Sequence, residues 1–354
     1  MLKTYVSRLL QASLMCCIAV LFAACDGAFG SDDNPMSQIE QKFSTTPLTM
    51  EALSAGTIVI KEPQPGMQYA LNGGPKMAIT STDDVTIDVA IGDKVKFYGN
   101  GTDITSYFNS FMSYTNIAGG TADVKLYGNI MSLVDETGFA KNKTLTGANA
   151  FRRLFFENTH ITDASGLLLP ATTLSNGCYS SLFLFCSNLT AAPKLPALEL
   201  VSECYGSMFA ECSSLTTAPE LPATTLAEGC YSCMFAFCTS LTTAPVLPAT
   251  TLFKGCYFGM FSKCANLTAT PELPAPTLAN LCYYDMFSDC PKLSTVTCLA
   301  TDISAFNCTL DWLLNTGTEV TGEKTFYKAA SMTGWGTDES GTNGWTVKDY
   351  TPAP

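Results

Sequence analysis

Five times over, the chain returns to the same 26-residue phrase, beginning at Cys178, Cys204, Cys230, Cys256 and Cys282. Laid beneath one another, the copies agree in fixed columns. Counting the first Cys as position one, position two is Tyr179, Tyr205, Tyr231, Tyr257 and Tyr283. Position five is Leu182, Met208, Met234, Met260 and Met286, and position six is Phe183, Phe209, Phe235, Phe261 and Phe287. Position nine is Cys186, Cys212, Cys238, Cys264 and Cys290, and position twelve is Leu189, Leu215, Leu241, Leu267 and Leu293. Leu195, Leu221, Leu247, Leu273 and Leu299 follow at position eighteen. Apolar columns separated by polar residues are the mark of a solenoid.

One copy cannot fold alone. Its large apolar side chains, at ~2 kcal/mol each, supply on the order of 10 kcal/mol. Ordering its backbone costs roughly 1–2 kcal/mol per residue, a larger sum. Stacked copies cover each other's apolar faces, so each unit is half a core and its neighbour supplies the other half.

Within a copy, CYxxMFxxC places Cys, Met and Phe on one side of a short helical turn. LTTAPxLP reads as extended, because a residue before Pro is biased away from the helical region. Pro193, Pro219, Pro245 and Pro271 have no N–H, so a full parallel ladder cannot run through that column. Short strands are expected at the LTT positions, followed by a bend.

The flanks carry no such period. Residues 1–24 read as a secretory signal: Lys3 and Arg8 precede Leu9–Ala24, an apolar stretch shorter than the ~20 residues of a membrane span. It ends in LFAAC, which resembles a bacterial lipobox and makes Cys25 the expected lipidated residue; residues 25–46 then form a polar tether. Such a protein lies on a membrane through its lipid without spanning it. Residues 47–134 alternate polar and apolar between turn signals such as Asn72-Gly73-Gly74 and Gly92-Asp93, which predicts a small all-β, immunoglobulin-like sandwich. Residues 135–177 read as a transition and a divergent first repeat, in which Phe155, Asn158 and Ile161 match Phe183, Cys186 and Leu189. Residues 178–307 are the five repeats, and 308–354 a C-terminal cap that holds Trp312, Trp335 and Trp345.

FxxCxxLxxxxxLP, followed by a TL pair and a short turn, resembles the BspA-type leucine-rich repeat. The family implies surface lipoproteins of anaerobic, host-associated Gram-negative bacteria. A β-rich N-terminal segment and a tail like Gly344-Trp345-Thr346-Val347 fit its layout, and Ser304 departs from it where the other copies have Leu. The resemblance implies an outer-membrane lipoprotein at the cell surface and adhesion to host proteins or other cells.

Cys16 and Cys17 leave with the signal and Cys25 carries lipid, which leaves 13 of 16 cysteines in the body, an odd number that cannot all pair. Column neighbours one rung apart, ~4.8 Å, are poorly placed for a disulfide. Buried free thiols are the expected state; cross-pairing of positions one and nine stays open, as does metal binding, for which only Cys230 and Cys233 have a suitable spacing.

Chemistry has little to stand on. His160 has no evident partner in the sequence, and no GxSxG, HExxH or P-loop occurs. Asp338, Glu339 and Asn343 lie in a Gly-rich loop that reads as an acidic turn. No enzyme, metal or cofactor is expected. A net charge of −12 argues against nucleic acid and anionic membrane surfaces as partners.

Binding through the solenoid surface is therefore the expected function. The positions that vary are Lys194, Glu220, Val246 and Glu272 in APxLP, and Glu211, Phe237, Lys263 and Asp289 before the second Cys. The column Tyr179, Tyr205, Tyr231, Tyr257 and Tyr283 could add a contact stripe or pack between rungs. Host or microbial surface proteins are the first class of partner. Glycans, as for an accessory of a polysaccharide-uptake system, are the second, and a structural coat protein is the third.

Overall fold

The computed structural model describes residues 41–64, 66–99, 115–333, 335, 342 and 344–352. Ser44–Pro354 forms one compact unit. The N-terminal part holds β1 (Thr49–Ala52), β2 (Gly56–Ile60), β3 (Gln68–Leu71), β4 (Met77–Ala78), β5 (Val85–Val89), β6 (Lys94–Tyr98) and β7 (Val124–Asn129). The predicted turns fall where Asn72 and Gly73 take positive φ, and Gly92 likewise. Strands β4, β3, β6, β1 and β7 pair in that order, antiparallel throughout, while β2 and β5 form a separate antiparallel pair. The larger sheet does not stop at the repeat boundary. Strand β7 pairs in parallel with β8 (Ile161–Leu168), the extended part of the divergent first unit. The N-terminal sheet is thereby joined edge to edge with the repeats.

The solenoid itself is turns and short β-segments with almost no helix. Pro219 and Pro245 leave their copies with isolated parallel bridges such as Thr217–Thr243. Among the described residues a continuous four-stranded parallel sheet forms at the C-terminal end, from β9 (Ala269–Leu273), β10 (Thr295–Cys298), β11 (Thr325–Lys328) and β12 (Thr346–Asp349). There Thr297 pairs with Glu272, and its N–H donates to the side-chain Oγ1 of Thr270 at 3.1 Å.

The CYxxMFxxC stretch is not the helical turn its spacing predicts. It is a run of β-turns stacked copy upon copy, and its backbone bonds alternate strictly. Cys204, Gly206, Met208, Ala210 and Cys212 donate back three residues, to Val201, Glu203, Tyr205, Ser207 and Phe209. Between them, Glu203, Tyr205, Ser207, Phe209 and Glu211 donate up to the next copy, to Glu228, Cys230, Ser232, Met234 and Ala236. Every second turn carries a third residue at positive φ, as a type II turn requires: Glu203, Ser207 and Glu211 at 55°, 53° and 62°. The same positions are left-handed in each copy, for example Gly229, Cys233 and Phe237.

A repeating unit of four residues explains the apolar pattern better than a helix does. Positions one, five and nine then share one face without drift, whereas an α-helix rotates them by about 40° at each step of four. Cys, Tyr, Met, Phe and the second Cys of each copy all turn inward. The Phe column stacks at 5.3–5.8 Å from Phe155 to Phe287. The buried Trp312 continues the Tyr column at 6.1 Å and stacks in turn on Trp335 at 5.6 Å, closing the C-terminal end.

Position nine has a role beyond filling space. Its thiols donate to the position-six carbonyl of the preceding unit: Cys186 to Phe155, Cys212 to Phe183, Cys238 to Phe209, Cys264 to Phe235 and Cys290 to Phe261, all at 3.1–3.2 Å. Asn158 begins the column by donating to Ile117, and Thr316 ends it by donating to Phe287. The column is thus a ladder of side-chain donors. Cys238→Thr keeps a donor and Cys238→Val, of nearly the same shape, does not. In thermal melts the Thr variant is expected to equal or exceed Val. An ordinary apolar core would reverse that order by about 1–3 kcal/mol, the cost of an unpartnered hydroxyl.

One register differs from the expected alignment. Strand β10 pairs Cys298, not Leu299, with Leu273, through an irregularity between Thr295 and Thr297. The one-residue slip also places Ile303, partly buried against the core, where other copies have Leu, and leaves Ser304 exposed.

Candidate functional site

The tyrosine column is not a contact stripe. Tyr179, Tyr205, Tyr231, Tyr257 and Tyr283 are at most 2% exposed, and their rings stack on one another at 5.7–6.1 Å. Burial raises the pKa of all five hydroxyls. Position two faces inward with position one, so the rings pack inside the stack.

The varying positions do lie outside, on two different stretches of each rung. Lys194, Glu220, Val246 and Glu272 are exposed on the extended stretch. Val246 borders a trough walled by Pro219, Pro222, Pro245 and Pro248. Glu272 is engaged within the chain, accepting from Tyr350 Oη at 2.6 Å. Glu211, Phe237, Lys263 and Asp289 sit at the third left-handed position of the turn stretch. Phe237 and Lys263 are exposed and stacked on each other, with Nζ 4.5 Å from the ring centroid. Glu211 and Asp289 are half-buried, and Asp289 accepts from Asn315 at 2.9 Å.

Positions three and four share this turn face, which the helical reading hid. Column three runs Arg152, Ser180, Gly206, Ser232, Phe258, Tyr284, and column four runs Arg153, Ser181, Ser207, Cys233, Gly259, Asp285. The small residues in the middle leave a groove of about 510 Å³. Ser180, Ser181, Gly206, Ser207 and Ser232 form its floor, with Arg152 and Arg153 at one end and Phe258 at the other. Glu203 and the Glu228–Lys254 ion pair (2.7 Å) line its side. That pair is well exposed, so it shapes the rim more than it stabilises the fold. Gly206 is not at positive φ, and a Cβ there would meet nothing closer than Glu203 O at 3.4 Å. Its smallness serves the groove, since the same column accepts Phe258 and Tyr284 two and three copies on.

No reactive or metal-binding cluster accompanies the groove. The 13 described cysteines are free thiols, and all but Cys233 are buried. Burial pushes Cys178, Cys230, Cys282, Cys290 and Cys298 up to about 12, so thiolate is scarce at neutral pH. Among the described residues no group of three metal-ligating side chains occurs. His160 does have a partner, Asp123 Oδ1 at 2.9 Å from Nδ1, which ties the N-terminal sheet to the first repeat unit. Cys25, Asp338, Glu339 and Asn343 lie outside the described residues. Among those described, no helix is long and apolar enough to cross a membrane. Compared with known protein families, curated proteins and solved structures, the chain matches none.

Proposed function

We propose that this chain is a non-enzymatic binding module at the cell surface, a BspA-like leucine-rich repeat lipoprotein anchored through Cys25. Its contact surface is the outward turn face. One observation carries the reading. From copy to copy the inward columns hold their residue, while positions three, four and eight of the turn change freely: Ser, Gly, Ser, Phe, Tyr; Ser, Ser, Cys, Gly, Asp; Phe, Glu, Phe, Lys, Asp. Packing dictates the inside and leaves the outside to recognition, as in other solenoids that bind along one regular surface.

The test uses the full chain in detergent on an array of host matrix proteins and polysaccharides. Saturable binding is expected, reduced at least tenfold by Phe237→Ala with Lys263→Glu and unchanged by Glu220→Lys. The opposite pattern moves the contact to the extended stretch. Silence across the array overturns the binding reading in favour of a coat protein. Labelled fatty acid should enter the chain in cells and be lost in Cys25→Ala.

A further inference from the structure

Column three contains an interrupted stack of rings. Phe258 and Tyr284 lie face to face, with centroids 4.9 Å apart and planes within 2°. Both are half-exposed. The other face of Phe258 looks toward the preceding copy, where the column holds Ser232, then Gly206, then Ser180. The stack therefore stops where the groove begins, and the groove is the volume those missing side chains would have filled.

The floor of that volume is polar and held in place. Ser180 and Ser181 are each 6% exposed, yet both line the groove. Ser180 Oγ stands 3.8 Å from the point a Gly206 Cβ would occupy. Ser207 and Ser232 add hydroxyls farther along, and Arg152, Glu203, Glu228 and Lys254 supply charged donors and acceptors on the walls. From the Arg152 rung to the Phe258 rung is four steps, about 19 Å at ~4.8 Å per step.

A long, open trough that mixes serine hydroxyls with Leu184, Leu281 and the ring of Phe258 suits a chain of rings that carry hydroxyls and one flat apolar face. We propose that the groove over Ser180, Gly206 and Ser232 binds an extended polysaccharide chain, with one sugar ring stacked on Phe258. This rests on the turn face being the contact surface and names the ligand class it takes. Leu184 and Leu281 add apolar surface to the groove, and the serine hydroxyls beside them favour a ligand that carries hydroxyls of its own. Phe258 recognises the sugar ring, the serines hydrogen-bond its hydroxyls, and Arg152 and Lys254 extend the choice to sugars with carboxylates.

The full chain in detergent is tested by affinity electrophoresis against soluble linear polysaccharides, neutral and uronate-containing, and by array against matrix proteins. Retardation by at least one polysaccharide is expected. Gly206→Tyr fills the groove with a side chain the column already accepts, at a backbone that does not resist it, and should abolish retardation. Phe258→Ala should weaken it about tenfold, the size of one lost ring stack. A thermal melt within a few degrees of the parent shows that each variant is folded, and Ser180→Ala gives a second, conservative reading of the floor. Polysaccharide binding that survives both Gly206→Tyr and Phe258→Ala overturns the site. Binding of a matrix protein alone, lost in Gly206→Tyr, overturns the glycan while keeping the turn face. No binding at all overturns both.

Discussion

Phe235→Ala should lower the unfolding free energy by about 3–5 kcal/mol, the cost of an aromatic side chain removed from a core that cannot close over the space. Phe235 is fully buried and stacked between Phe209 at 5.8 Å and Phe261 at 5.6 Å. Each neighbour is fixed by its own ladder bonds, Phe209 N to Met234 O and Phe261 N to Met286 O, so neither can move in. Tyr231→Ala should behave the same way, because the tyrosines are core. Phe237→Ala, two residues on and exposed, should change stability by no more than about 0.5–1 kcal/mol. Denaturant melts of the three variants settle the matter. A Tyr231→Ala protein as stable as its parent would return the tyrosines to the surface. In a quasi-one-dimensional stack the loss is local, so Phe235→Ala should also split the transition, with the copies on either side melting separately.

What the sequence made legible follows from what repeats. Five equal lines of text showed which columns are inside, because a side chain such as Phe209 or Leu215 recurs only where packing demands it. The interruption expected at the prolines was also legible: around Pro219 and Pro245 only isolated parallel bridges such as Thr217–Thr243 occur. The backbone of CYxxMFxxC was not legible. Nine residues are too few to separate a period of four from one of 3.6, and left-handed Glu203, Ser207 and Glu211 have no propensity that announces them. That one ambiguity hid the rest of the site. With a helix assumed, positions four and eight still share a face, but position three stands about 140° from position eight and goes unread. The 26-residue repeat puts Gly206 and Phe258 in one line, and the four-residue period turns that line outward. The role of the second Cys as a donor was equally invisible, since the carbonyl it meets belongs to the unit before. Its two irregular members, Asn158 and Thr316, were the available hint: neither resembles Cys in shape, but all three can donate.

Removing 26 residues should harm this protein less than removing two. Deleting Cys204–Gly229 joins Glu203 to Cys230 and brings whole rungs together. Tyr179 and Ser181, which now donate to Cys204 and Gly206, would meet Cys230 and Ser232 instead, the same columns one copy later. The Phe stack closes from Phe183 to Phe235 and the position-nine ladder from Phe183 to Cys238. The loss is one copy's share of the stack, a few kcal/mol at most by the additive behaviour of repeats. Deleting Ser232 and Cys233 alone shifts the four-residue period by half. Met234 and Phe235 then fall at positions three and four and face solvent, unless Cys230 and Tyr231 turn out in their place. Exposing Met234 and Phe235 costs about 3–6 kcal/mol, and exposing Cys230 and Tyr231 somewhat less. Ladder bonds to both neighbouring copies are lost with them, at about 1 kcal/mol each. That sum approaches the whole stability of an ordinary domain. Circular dichroism melts should therefore find the shorter chain folded, with one steep transition, and the two-residue deletion unfolded or aggregated. If instead the two-residue deletion melts like the parent, the turn stretch does not carry a four-residue period. The 26-residue deletion also reads the groove, because it removes Gly206 and Ser207 while leaving Phe258 and Ser180 in place. A folded protein whose polysaccharide retardation is weakened rather than abolished is the result a shortened trough should give.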